Sequence, residues 1–243
     1  MRHSSYFRLL KIYSDLWARR NCRVIMSGEE KLDAAGPRIY VVSHPTTWDL
    51  PLLAHLARNN FYVVVAEGPF AHPLVAWLFR GAGFIELQSD DSAKAIQHSC
   101  QIIQSGRPLI YSLKGFGVDY GEDVRPRTGS IRIAHYSGAD IYPVHLMIEE
   151  GKRIFKYYRK SETESHKYTV FSDTLYFVTF CEPLRYSEYA KGDMEYEDYR
   201  EIAYGIEETF VQQQRRIEKQ LEEDREYYRG LKRRGGSKKR VFF

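Results

Sequence analysis

Two residues five apart carry the plainest chemical suggestion in the chain. They are His44 and Asp49, in the stretch Ser43-His44-Pro45-Thr46-Thr47-Trp48-Asp49. An imidazole beside a carboxylate makes a base and its orienting partner. The carboxylate sets the ring tautomer and stabilises the imidazolium formed when the ring takes a proton from a hydroxyl. On one regular helix the two residues would stand about 140° apart, on different faces, so the pair works only if the chain turns between them. Pro45 supplies a reason for a turn, because it lacks a backbone donor and suits the first position of a helix. Thr46 and Thr47 can then satisfy free backbone groups at that helix start. Spacing alone leaves a plainer alternative, a histidine and an aspartate that merely cap a helix.

Positioning such a pair needs a rigid frame, and the flanking pattern describes one. The β-rich run Arg38-Ile39-Tyr40-Val41-Val42 leads directly into His44, placing it at a strand's C-terminal end, the edge where ligands usually bind in open α/β sheets. Further strands are expected at 24–26, 61–66, 83–87, 108–112 and 141–147. Helices are expected at 50–57, 73–79, 92–104 and 129–137, with Gly138 as a C-cap. Later strands around Thr169–Phe171 and Leu175–Phe180 should extend the sheet, and a long helix should follow from Tyr196 to Glu218. Strands alternating with helices indicate one α/β domain with a mixed, largely parallel sheet flanked by helices. Ahead of it, Tyr6, Leu9, Leu10, Tyr13, Leu16 and Trp17 recur at helical steps, marking an N-terminal amphipathic helix.

Composition narrows the class. With 43% hydrophobic and 28% charged residues in 243, the chain is an ordinary globular one rather than a disordered or repetitive one. No run of about 18 apolar residues suggests a transmembrane helix, and the charged N-terminus does not resemble a secretory signal. Cys22, Cys100 and Cys181 are too scattered for a disulfide framework or a zinc site. His72, His98 and His135 form no metal-ligand grouping, so no metal is expected. Gly115-Phe116-Gly117 lacks the third glycine of a dinucleotide fingerprint. The net charge of +4 is segregated: residues 1–24 carry six basic side chains against Asp15, residues 225–243 carry eight against Glu226, and the body between is acidic. Basic ends around an acidic body point to an anionic membrane surface. The tail's lack of interleaved aromatics makes a nucleic-acid partner unexpected.

Val41-Val42-Ser43-His44-Pro45-Thr46-Thr47-Trp48-Asp49 resembles the first block of the glycerolipid acyltransferase family, which includes the lysophosphatidic acid acyltransferases. The likeness continues in order. Glu67 to Leu87, with Pro73 and Gly81-x-Gly83-Phe84-Ile85, is similar to the second block, and Ser105 to Tyr111 to the strand entering the third. Gly129-Ser130-Ile131-Arg132-Ile133-Ala134, Ala139 to Val144, and Val178 to Leu184 are similar to the later elements. The chain then divides into the basic helix over 1–24 and the charged tail over 221–243, both read from the residues, around what the resemblance implies is an acyltransferase domain over 25–220. It also implies transfer of a fatty acyl group from a thioester, acyl-CoA or acyl carrier protein, to a hydroxyl of a lysophospholipid or related lipid, with no resident cofactor. His44 would take the hydroxyl proton and later protonate the thiolate, and Asp49 would orient it. The expected location is cytoplasmic, peripheral on the inner face of a membrane.

The chain departs from the family at its third block, usually Phe-Pro-Glu-Gly-Thr-Arg. Here Ser112-Leu113-Lys114-Gly115-Phe116-Gly117 puts lysine for the glutamate and glycine for the arginine, and Leu87-Gln88-Ser89-Asp90 lacks the second block's arginine. Those positions would hold an acceptor phosphate. Substrate contacts are therefore expected from Ser43, Thr46 and Thr47 beside the pair. Lys114, Arg125 and Arg127 are expected to bind an anion from new positions, with backbone donors of the loop beginning at Gly115 assisting. The alternative is that these cations are solvated loop charges. The altered block leaves room for a non-glycerolipid acceptor, such as an aminolipid or specialised metabolite, or for an inactive lipid-binding member.

Overall fold

The structure, a computed structural model, describes residues 2–33, 35–56, 61–66, 73–87, 92–117, 124–149, 151–159 and 165–233. Glu67, His72, Asp90, the loop over 118–123 and the tail over 234–243, all singled out in the sequence, lie outside the described residues. The chain runs α1 (Arg2–Asn21), β1 (Cys22–Ser27), a 3-10 turn (Glu29–Asp33), β2 (Arg38–Val42), α2 (Asp49–Leu56), β3 (Tyr62–Ala66), α3 (Pro73–Gly81), β4 (Phe84–Leu87) and α4 (Ser92–Gln104). It continues through β5 (Leu109–Ser112), α5 (Gly129–Ser137), β6 (Asp140–Ile148), β7 (Ile154–Arg159), β8 (Ser165–Val170), β9 (Thr174–Phe180), α6 (Tyr186–Tyr189), α7 (Tyr196–Glu223) and α8 (Arg225–Arg233).

Every residue of β2 is buried, as a β-branched and aromatic run between two neighbours should be. It lies mid-sheet in the order β1-β9-β6-β2-β5-β3-β4. All pairs are parallel except β6 with β9, so the sheet is mixed but largely parallel. Side chains alternate between two helix layers. Tyr40, Val42, Ile110, Val144, Tyr176 and Val178 pack with α1, α2 and α3 on one face. Ile39, Val41, Leu109, Tyr111 and Ile141 pack with α4, α5 and α7 on the other. Each such aliphatic side chain contributes about 1.5–3 kcal/mol by burial. Gly138 ends α5 with φ 68°, the left-handed conformation that removes the cost of a Cβ at a C-cap.

Three sequence expectations are altered. Thr169 and Val170 belong to β8, which does not extend the sheet but pairs with β7 as a separate antiparallel hairpin. The cause is that β7 mixes Lys156 and Arg159 among aromatics and gives no clear strand signal, so the partner of β8 is hidden in the sequence. The helical tail also reaches further: α8 passes through Gly230 to Arg233, and its Tyr228 ring lies 6.0 Å from Phe177 of β9. Finally, the apolar residues of α1 divide between two directions. Phe7, Leu10 and Ala18 are buried, whereas Leu9, Ile12, Tyr13 and Leu16 are exposed, at positions i, i+3, i+4 and i+7. No helix among the described residues is long and apolar enough to cross a membrane.

His145, on β6, is 1% exposed and tilts against Phe210 of α7 at 5.7 Å. Burial pushes its imidazole down from 6.5 to about 3. Between those values the unfolded chain binds a proton that the folded chain does not, so stability falls as pH drops through that window, by up to about 1.4 kcal/mol per pH unit. In urea unfolding at a series of pH values, His145→Leu should lose this one-proton slope relative to the parent. Identical slopes would show that His145 charges freely in the fold.

Candidate active site

The end of β2 delivers His44 to the C-terminal edge of the sheet, and α2 begins at Asp49. The turn between them brings His44 Nδ1 to 2.7 Å from Asp49 Oδ2. Asp49 has no exposed surface, while the His44 side chain keeps 18% of its own. With Nδ1 committed to the carboxylate, Nε2 is the nitrogen that can exchange a proton with a substrate.

A buried carboxylate must be fully hydrogen-bonded. Asp49 Oδ2 also accepts from the Thr46 N–H at 2.9 Å, and Oδ1 accepts from the Thr46 hydroxyl and from the Tyr176 hydroxyl of β9. Position at the first turn of α2 adds the favourable field of a helix N-terminus. Burial first, and then the Asp49 charge, push the Tyr176 phenol well above its ordinary value, so it stays protonated and donates. Thr46 does the capping expected of it, its hydroxyl also accepting from the Trp48 N–H at 3.2 Å. Tyr176 was not foreseen. Its only sequence signal is an inward position in the alternation of β9, 127 residues from Asp49.

Two outside elements clamp the turn. The hairpin offers Thr169, whose hydroxyl accepts from the Thr47 N–H at 2.8 Å and whose carbonyl accepts from Trp48 Nε1 at 3.0 Å. Arg153, just before β7, donates to the Pro45 carbonyl at 3.2 Å. From the other side, Trp17 of α1 stacks on Trp48, centroids 4.2 Å apart. The loop after β5 closes over His44: the Gly117 N–H donates to the His44 carbonyl at 2.7 Å, and the Phe116 ring edges the imidazole at 5.4 Å. Phe155 of the hairpin stands 6.4 Å beyond Phe116.

The remaining expected contacts are dispersed. Ser43 is wholly buried and spends its hydroxyl on the backbone of Leu146, accepting at 2.6 Å and donating at 3.1 Å. Thr46 is likewise buried and turned to Asp49, and Thr47 is bonded to Thr169. Lys114 is 3% exposed and pairs with Glu207 of α7 rather than lying beside His44. Gly115, at φ 97°, donates its N–H to the Ser112 hydroxyl at 3.0 Å. A Cβ there would lie 3.7 Å from the Arg127 guanidinium. Arg125 and Arg127 line a cleft on the sheet face opposite Asp49. The structure thus gathers His44, Asp49, Thr46 and Thr47 into one cluster and leaves the three cations elsewhere.

The arrangement can do proton transfer: an imidazole that keeps some exposed surface, oriented by a buried and fully bonded carboxylate, next to an aromatic wall. Tyr176→Phe removes one donor from that carboxylate, an interaction worth about 1.5–3 kcal/mol. Less quenched, Asp49 would hold an imidazolium more strongly, so the acid limb of the pH–rate profile should move to higher pH and turnover should fall. A variant that is merely less stable, with an unmoved acid limb, would show that Tyr176 does not position the pair.

Comparison with known proteins bears on the fold and the family. The chain's fold is similar to that of the crystal structure of the 1-acyl-sn-glycerophosphate (LPA) acyltransferase PlsC from Thermotoga maritima. The match has a TM-score of 0.62 and 17% identity, and covers 86% of this chain and 79% of that one. No curated protein sequence matches it. The model of the Acyltransferase family matches residues 23–147, from β1 through the His44–Asp49 turn to β6. Over half of the chain lies in that match, and the protein belongs to the Acyltransferase family.

Proposed function

We propose that this acyltransferase moves a fatty acyl group from a thioester, acyl-CoA or acyl carrier protein, to a hydroxyl of a lysophospholipid or related lipid. His44 acts as the base and Asp49 as its orienting partner. The observation that carries the reading is the 2.7 Å contact between His44 Nδ1 and a carboxylate with no solvent exposure. The acceptor hydroxyl gives its proton to Nε2 as its oxygen attacks the thioester carbonyl. The tetrahedral species then expels the thiolate, which takes that proton back from the imidazolium, yielding ester and thiol. No acyl-enzyme is required. His44→Ala should lower thiol release by about 10²–10⁴-fold with an unchanged melting temperature. Turnover at the parent rate in that variant would overturn the mechanism. Mass spectrometry of products from mixed thioesters and extracted lipids names the acceptor.

A second reading of the acceptor has its own support. The loop over His44 presents Phe116 and the backbone of Gly117, and its lysine pairs with Glu207. An aromatic wall suits an aminolipid or another non-glycerolipid hydroxyl better than a bare glycerol phosphate. Strict dependence on lysophosphatidic acid in the same assay would remove this reading.

The exposed stripe of α1 supports action at a membrane surface. Leu9, Ile12, Tyr13 and Leu16 face outward, and Trp77 of α3, also exposed, edges Tyr6 of α1 at 4.9 Å. Exposed Arg8, Arg19 and Arg20 flank them. Such a helix lies in the interface, each nearby cation adding roughly 1 kcal/mol on an anionic leaflet. Because α1 also packs on the core, substitution is a cleaner test than deletion. Leu9→Ser, Ile12→Ser and Leu16→Ser together should abolish co-sedimentation with vesicles containing phosphatidylglycerol while the fold survives. Undiminished binding would sink the docking reading.

A further inference from the structure

On the sheet face opposite Asp49, the first turns of α4 and α5 stand apart over the ends of β3, β4 and β5, leaving a cleft of about 440 Å³. Val64, Leu87 and Ile96 give it an apolar lining, and Arg125, Arg127 and Arg132 bring three guanidinium groups to it. Among the described residues, no carboxylate lines the cleft and none is paired with these arginines. Arg132 lies against the Tyr136 ring at 6.0 Å. Three basic side chains lining one cleft give it a positive potential that favours an entering anion.

Several donors face the cleft beside the arginines. Tyr111 reaches the start of α5, where a Cβ on Gly129 would come within 2.8 Å of its hydroxyl, so glycine is what lets the phenol lie there. Burial pushes the Tyr111 phenol up by more than the Arg127 charge pulls it down, so it stays protonated and able to donate beside that cation. The helix start itself has no side-chain cap from Thr128, so its first N–H groups add to the positive potential. Guanidinium forks, a phenol and an uncapped helix start together match a doubly charged phosphoryl group better than a single carboxylate. The volume is too large for phosphate alone, and Ile96 with the exposed ring of Tyr196 offers an organic moiety somewhere to lie.

We propose that this cleft binds a phosphate ester, its phosphoryl group on Arg125, Arg127 and Arg132 and its organic part on Ile96 and Tyr196. Within the acyl-transfer reading, on which this assignment of sources rests, two substrates carry that chemistry: the nucleotide end of a coenzyme A thioester and the phosphorylated headgroup of an acceptor. Isothermal titration of the intact protein with adenosine 3′,5′-bisphosphate and with glycerol 3-phosphate separates them without any turnover. Saturable binding of the nucleotide alone assigns the donor, and of glycerol 3-phosphate alone the acceptor. Binding of both marks a shared phosphate-ester site. Arg127→Gln should weaken the bound probe by about tenfold, and substitution of all three arginines by glutamine should abolish binding. Ile96→Trp, which fills the cleft and keeps every charge, should also block it, and melting temperatures report whether each variant folds. Absence of saturable binding by both probes at millimolar concentration, or equal binding by the folded variants, would overturn the site. Because binding is read without catalysis, an active enzyme that binds neither probe, or an inactive one that binds either, tells the failure of one reading from that of the other.

Discussion

A carboxylate removed from water is tolerated only where donors replace its hydration, and Asp49 has four: the Thr46 N–H and hydroxyl, the Tyr176 hydroxyl and the His44 ring. Those donors come from one turn and from a strand far away in sequence. The turn can hold its shape only while β9 stands two strands from β2, with β6 between. The sheet order is thus a condition of the site. Antiparallel insertion of β9 beside β6 is what carries Tyr176 beneath the start of α2.

The layers around the turn serve the same end by different means. Trp48 is sandwiched between α1, through the stacked Trp17, and the hairpin, through the Thr169 carbonyl. It ties the N-terminal helix to the hairpin that clamps the turn. Lys11 of α1 also donates to the His55 carbonyl at 3.1 Å, capping the far end of α2. Disturbing α1 therefore reaches both ends of the helix that carries Asp49. The outward stripe of α1 needs no such coupling, which is why one helix can serve the core and an outer surface at once.

Much of this frame is legible in the sequence because its signals are local. The pair His44 and Asp49 stands in one short stretch, α4 spans 92–104 as its apolar period implies, and Gly138 ends α5 where a C-cap was expected. What escapes is non-local. Tyr176 is one inward residue among several in β9, and nothing near it in sequence names Asp49 as its partner. The β7–β8 hairpin escapes for a related reason: strand pairing depends on the partner, and β7 mixes cations with aromatics in no regular alternation. Helical period finds the apolar residues of α1 but not their division, since residues at i and i+1 differ by about 100° and both faces here are apolar.

The departure at Lys114 is settled by the same accounting of buried charge. A lysine with its side chain 1% exposed would be prohibitive alone, and Glu207 on α7 supplies the counter-charge. An acid at position 114 would meet Glu207 instead, like against like, in a site that excludes water. The lysine and the helix behind it therefore form one unit, and the Lys114 charge is consumed within the protein. Among its described residues, the loop presents above His44 the Phe116 ring and the Gly117 amide, and the latter already donates to the His44 carbonyl. Among the described residues of the loop, a ring and an amide rather than the lysine stand over His44. On the other face of the sheet, Arg125, Arg127 and Arg132 line the cleft that we propose takes a phosphate ester.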